Sequence, residues 1–269
     1  MSNSLDWGRV SDDYARYRDV YPPEFYDMIW EAGICVEGQC VLDLGTGTGV
    51  LPRMLHTRGA RIIGCDISEG QIEAARRLAV GLPVASIPPE VSSGGGVAFI
   101  CAPAEELEFP DAAFDAVTAC QCINYFDLDV LLPRIRRFLK PQGTFAVLSM
   151  SWRANTDEVT AMTDSLIREH NPSWLGSGIN HVDGSLPDWA ERHGFGIREF
   201  REKTPSIVFT RESWNGRILA SRGVGASLTP EAAERFSTEH MLELEELVPP
   251  EFAIAHSAAM LVLEKLKTY

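Results

Sequence analysis

The chain has 269 residues, 45% of them hydrophobic, which is enough to bury a full core in one α/β domain. Its formal net charge of −14 repels phosphate backbones and anionic lipid, so neither nucleic acid nor a membrane is expected as the main partner. Met1-Ser2-Asn3-Ser4-Leu5-Asp6 lacks the basic start and apolar stretch of a signal peptide, and no run approaches the roughly 20 apolar residues that span a bilayer; a cytoplasmic location is expected.

Taken in order, the first predicted element is a helix that opens at Pro22 and Pro23, runs through Ile29 and Trp30, and stops at Gly33. A strand at 40–44, a helix at 49–58 ended by Gly59, and a strand at 61–65 follow. Ser68-Glu69-Gly70-Gln71 has the form of a capping box and opens a helix to about Val80. The prolines and the Ser92-Ser93-Gly94-Gly95-Gly96 run within 81–96 predict a long inserted loop. Strands at 97–101, 114–119 and 144–149, with a helix at about 129–139, complete five β-α steps and predict a mostly parallel sheet covered on both faces.

After Trp152 the pattern changes. Helices are predicted from Asn155-Thr156-Asp157-Glu158 to about Glu169, at 187–193, at 211–221 and at 230–246, the last begun by Thr229-Pro230; strand material lies at 197–209. Ala258-Ala259-Met260-Leu261-Val262-Leu263 fits a core strand or a buried helix by periodicity alone.

The cysteines at 35, 40, 65, 101, 120 and 122 fall mostly in apolar strands without paired zinc-type spacing, so they read as small core residues in a reducing compartment. Cys120 and Cys122 would share a face if extended, which is half a metal site at most; no metal is expected.

The most informative stretch is Val41-Leu42-Asp43-Leu44-Gly45-Thr46-Gly47-Thr48-Gly49. A short apolar strand enters three glycines spaced two apart and then a helix, as needed where backbone turns with positive φ or closely approaches a ligand. Asp66 ends the next apolar run, where a carboxylate meets ribose hydroxyls in nucleoside-binding folds. The spacing is Gly-x-Gly-x-Gly, unlike the Gly-x-Gly-x-x-Gly of pyrophosphate binders.

This stretch resembles motif I of the class I S-adenosylmethionine (SAM)-dependent methyltransferases. Further matches follow in that family's order: Ala104-Glu105-Glu106-Leu107, then Phe109-Pro110-Asp111-Ala112-Ala113-Phe114-Asp115, then Leu139-Lys140-Pro141-Gln142-Gly143-Thr144. Tyr14-Ala15-Arg16-Tyr17-Arg18 before Tyr21-Pro22 is similar to a type 11-like subgroup that methylates small molecules, trans-aconitate methyltransferase among them. The resemblance is strong over 1–150 and thin beyond. It implies a Rossmann-like three-layer αβα sandwich: a seven-stranded, mostly parallel sheet with one antiparallel strand, which makes 258–263 a strand. The 1–150 core would bind cofactor, and 152–190 and 211–248 would be helical insertions in a single domain spanning 1–269.

SAM is the implied cofactor. By the resemblance, Gly45, Thr46, Gly47 and Gly49 approach its methionine part, Asp66 accepts its ribose hydroxyls and Ile67 packs on the adenine. Asp43 braces the glycine loop or meets the cofactor's amino group, or is simply structural. Ala104 and Glu105 lie at the adenine, although Pro103 stands where the family's usual Asp would. Tyr14 and Arg18, four apart on one helix face, close over the amino-acid end. Gln121, Asn124 and Tyr125 follow the fourth strand on the side where open α/β sheets hold ligands; Gln121 is assigned to the cofactor, Asn124 and Tyr125 to acceptor positioning. His181, between Asn180 and Asp183, is the candidate base.

These features predict methyl transfer from SAM to an O, N or carboxylate acceptor on a small molecule held in a closed pocket. Two alternatives stand beside it: a SAM-binding protein without catalysis, and a nicotinamide-dependent oxidoreductase.

Overall fold

The computed structural model describes residues 21–87, 95–154, 156–176 and 182–266. The chain divides into two compact units: a sheet unit of Pro23–Met150, Asn180–Lys203 and Ala258–Tyr269, and a helical unit of Met1–Pro22, Ser151–Ile179 and Thr204–Ser257.

The sheet unit opens with α1 (Pro23–Glu31), then β1 (Cys40–Leu44), α2 (Val50–Leu55), β2 (Arg61–Asp66), α3 (Glu69–Leu78), β3 (Gly96–Cys101), β4 (Phe114–Cys120), α4 (Leu128–Phe138) and β5 (Leu139–Trp152). Later elements are α5 (Glu158–His170), α6 (Asp188–Arg192), β6 (Phe195–Lys203), β7 (Ser206–Thr210), α7 (Arg211–Leu219), α8 (Pro230–Leu247) and β8 (Glu251–Lys265). The sheet order is β3-β2-β1-β4-β5-β8-β6, with β7 paired to β8. Strands β1 to β5 pair in parallel and β8 runs antiparallel to β6 and β7, which matches the expected mostly parallel sheet. From β1 the chain winds outward to β3, then returns to place β4 on the other side of β1. The site is placed by that reversal, because crevices form where neighbouring crossovers leave in opposite directions.

The strands of the sheet unit are nearly continuous apolar runs, as required when helices cover both faces. Leu42, Leu44, Val117, Ala119, Phe145 and Val147 share one core with Leu131, Leu132, Ile135 and Phe138 of α4. At the amino ends of the strands, Asp115 accepts from the Cys40 N–H at 2.8 Å and from Lys140 Nζ at 2.8 Å, which ties β1, β4 and β5 together.

In the helical unit, Trp152, Val159, Ile167, Trp174, Phe209, Trp214, Phe236 and Leu244 form a second core. Its helices start on side-chain caps. Asp157 accepts from the Thr160 N–H at 2.8 Å, and Thr229 Oγ1 from the Ala232 N–H at 3.3 Å.

Two elements differ from the sequence reading. The strand material read at 197–209 resolves into two strands, because Thr204-Pro205 interrupts it and proline has no N–H for the ladder; the Pro205 carbonyl instead accepts from the His256 N–H at 2.9 Å. The strand expected at 144–149 begins at Leu139, with an irregular register between Phe114 and Ala116 that absorbs Lys140-Pro141-Gln142-Gly143. No described helix is long and apolar enough to cross a membrane.

Candidate active site

The glycine loop is held from beneath by a carboxylate. Strand alternation sends Leu42 and Leu44 into the α4-covered core and turns Asp43 to the opposite face. Asp43 is 2% exposed; its Oδ2 accepts from Thr46 Oγ1 and its Oδ1 from Thr118 Oγ1, both at 2.6 Å. Thr118 lies directly beside Asp43 in the β1–β4 register, and the Thr46 N–H donates to the Cys65 carbonyl at 2.8 Å. The loop is thereby fastened to strands on both sides. Burial pushes the Asp43 carboxyl up to about 6; the Thr118 and Thr46 bonds oppose that rise, and the charge of Asp66 adds to it. Asp43 is thus hydrogen-bonded to the glycine loop through Thr46.

Gly45, Gly47 and Gly49 all have positive φ, at 58°, 56° and 75°, but they serve different needs. A Cβ on Gly45 would lie 2.8 Å from Cys122 Cβ, and one on Gly49 would lie 2.7 Å from the Phe99 ring. Those two glycines let the loop pack against the protein itself. A Cβ on Gly47 would meet nothing nearer than Gln71 Oε1 at 3.7 Å, so Gly47, unlike the other two, has open space beside it.

Asp66 closes the carboxyl end of β2. Its Oδ2 accepts from the Gly47 N–H and its Oδ1 from the Ser68 N–H, both at 2.9 Å. Burial raises its pKa, against the pull of backbone donors from Ser68, Gly47 and Ile67. A carboxylate oxygen has a second lone pair, so each can still accept one hydroxyl. Beside it Ile67 presents an apolar side chain that is 73% exposed. An acid able to take two vicinal hydroxyls, an exposed aliphatic surface and a glycine with open space fit a nucleoside cofactor.

The remaining predicted contacts fall around these strands. Ala104 is buried at the start of a single 3-10 turn, Ala104–Glu106. Glu105 Oε1 accepts from the Asp127 N–H at 2.9 Å, so one oxygen is committed to the start of α4. Gln121 takes a left-handed φ of 62°, uncommon for a side-chain-bearing residue, and its amide donates to the Met150 carbonyl. That turn breaks the extended geometry in which Cys120 and Cys122 would share a face, and Cys122 Sγ instead donates to the Leu44 carbonyl at 3.1 Å. Burial raises the Cys65 and Cys122 pKa values, which keeps them thiols. The chain then displays Asn124 and Tyr125, both exposed, in the turn Ile123–Tyr125. Tyr14, Arg18 and His181 lie outside the described residues. Thr118 escaped the sequence reading; its signal is a lone hydroxyl in the apolar strand Ala116-Val117-Thr118-Ala119.

Residues 42–147 match a protein-family model described as a methyltransferase domain, and they span the glycine loop, Asp66 and the end of β4. Over those residues the chain matches the class I SAM-dependent methyltransferases. SAM is their methyl donor and cofactor, and this methyltransferase's loop, acid and exposed isoleucine are the groups that fit it. Demethylmenaquinone methyltransferase of Clavibacter sepedonicus is 27% identical over 208 residues, covering 68% of this chain and 78% of that protein. Ubiquinone biosynthesis O-methyltransferase of Rhodopseudomonas palustris is 26% identical over 203 residues, 74% of this chain and 73% of that one. Several other curated relatives are matched over only about half their length. Among solved structures, a candidate type II methyltransferase from Anaeromyxobacter dehalogenans superposes with a TM-score of 0.62 at 20% identity, covering 92% of this chain and 98% of that one; at that identity the likeness speaks for the fold alone.

Proposed function

We propose that this methyltransferase moves the methyl of SAM to an oxygen, nitrogen or carboxylate of a small molecule, in the cytoplasm and without a nucleic-acid partner. The carrying observation is the arrangement of Gly47 and Asp66 at the carboxyl ends of β1 and β2. Relatives named for acting on demethylmenaquinone and in ubiquinone biosynthesis support a small-molecule acceptor, and the net charge of −14 weighs against a polyanion.

When bound, SAM supplies a methyl that is already activated by its sulfonium. The protein's task is then to align and to exclude water, and fixed geometry alone accounts for up to roughly 7–11 kcal/mol of barrier reduction. Asp66 accepts the ribose hydroxyls with its free lone pairs, Ile67 covers the adenine, and Gly47 leaves room for the chain of the cofactor. Asn124 and Tyr125 orient the acceptor from the end of β4. An oxygen or nitrogen acceptor needs its proton removed, for which His181 is the proposed base; a carboxylate acceptor does not.

The test is incubation with SAM and a library of small acceptors, with S-adenosylhomocysteine and methylated product read by mass spectrometry. Acceptor-dependent formation of both is expected. SAM binding with no turnover on any acceptor class would leave a binding protein, and methylation of tRNA in place of small molecules would overturn the acceptor class.

A further inference from the structure

Several arginines of this chain are paired with carboxylates. Arg134 and Arg137 meet Glu108, Arg168 meets Asp164, and Arg201 meets Glu31 and Glu199. Arg222, in the helical unit, has no carboxylate partner among the described residues, and its Nη2 is sealed from solvent without a hydrogen-bond acceptor. Scarcity is not the reason, since the chain holds 38 acidic residues against 24 lysines and arginines.

The surroundings hold Arg222 in place. Its carbonyl accepts from Ser227 Oγ at 2.6 Å, and the next carbonyl, of Gly223, accepts from Asn171 Nδ2 at 2.8 Å. A Cβ on Gly223 would lie 3.0 Å from both Ile167 and the Trp174 ring, so the backbone sits tightly on that floor. The guanidinium carbon stands 5.4 Å from the Trp174 ring centroid, within cation-π range. The carboxylate beside Trp174 is turned to other donors: Asp164 Oδ1 accepts from Trp174 Nε1 at 2.9 Å and Oδ2 from Arg168 Nε at 2.7 Å. One residue back, Ser221 Oγ is likewise sealed and without a partner. Arg222 as a residue is only partly buried, so part of it meets solvent although Nη2 does not.

A buried donor that lacks an acceptor is costly, and a guanidinium is costlier than a neutral donor. A guanidinium on a pinned backbone, over an aromatic floor and with an unanswered N–H, suits a planar oxyanion, since the guanidinium fork matches carboxylate and phosphate geometry. We propose that Arg222, floored by Trp174 and flanked by Ser221, anchors an oxyanion site that takes the carboxylate or phosphate group of a small molecule. The site stands apart from the cofactor reading and is tested without SAM.

The experiment is calorimetry and thermal unfolding of the full chain with inorganic phosphate and with succinate, each against sodium chloride at equal ionic strength. Saturable binding of at least one of them, with a matching rise in Tm, is expected. Binding of phosphate alone identifies a phosphoryl ligand, and of succinate alone a carboxylate ligand. Arg222→Gln should weaken the binding at least tenfold, and Arg222→Lys, which keeps the charge but loses the fork, by less. If Arg222→Gln does not fold, Arg222→Lys and Ser221→Ala carry the comparison. A wild-type chain that responds to both anions no more than to chloride overturns the proposal, as do variants that titrate like wild type.

Discussion

Gly47 and Gly49 have similar backbone angles but opposite surroundings, and substitution should separate them. Gly49→Ala drives a methyl into the Phe99 ring at 2.7 Å and strains a φ of 75°, so a loss of about 1–3 kcal/mol of stability is expected by chemical denaturation. Gly47→Ala meets only the strain, and its main effect should be weaker S-adenosylhomocysteine binding by calorimetry. Equal stability losses with unchanged affinity for Gly47→Ala would contradict that division. Thr118→Val keeps the shape and removes one of the two hydroxyls on Asp43, with an expected cost of about 1–3 kcal/mol at neutral pH, where the buried carboxylate is charged. The motif itself was legible, because glycine spacing and an acid after the next strand are local signals. The division among the glycines was not, because Phe99 of β3 and Cys122, just past the end of β4, reach the loop from positions distant in sequence.

At the scale of elements, the strands and helices of the sheet unit were legible from apolar runs and glycine punctuation, with boundaries shifting by a residue or two. The break at Thr204-Pro205 was signalled by the proline, whereas the long β5 was not, since Lys140-Pro141-Gln142-Gly143 interrupts its apolar run. In three of the matched segments a charged side chain ties elements together. Glu105 accepts from the start of α4, and Asp115 with Lys140 clasps the amino ends of β1, β4 and β5. Asp115→Ala should therefore lower stability by about 1–3 kcal/mol while leaving the cofactor Kd nearly unchanged, read by denaturation and calorimetry on the same sample. A large loss of affinity with intact stability would place Asp115 in the site instead. In the helical unit, Asp157→Ala should cost about 1 kcal/mol and speed hydrogen exchange at the first turn of α5.

For the whole molecule, the two units should answer acid in opposite directions. His240, in the helical unit, is buried with Nδ1 on Asn215 Oδ1 at 2.9 Å and Nε2 on Thr163 Oγ1 at 3.0 Å, and burial lowers its pKa from 6.5 to about 4. Unfolded chain takes that proton near 6.5 and folded chain only near 4, so stability falls as pH drops through the interval, by about 3 kcal/mol in all. Asp43, in the sheet unit, behaves conversely. Its folded pKa of about 6 lies above the ordinary 3.8, so stability is lost as pH rises through that range. Hydrogen exchange compared at pH 5 and pH 7 should show α8 loosened and β1 tightened at the lower pH, and His240→Gln should remove the first change. Central to the whole account is that the loop at Gly45–Gly49 and Asp66 hold SAM. Calorimetry with SAM, S-adenosylhomocysteine and NAD tests it most directly. The first two should bind and NAD should not, with Asp66→Asn weakening them by about 1.5–3 kcal/mol, the scale of a charge-assisted hydrogen bond. Binding of NAD together with no response to SAM would contradict it.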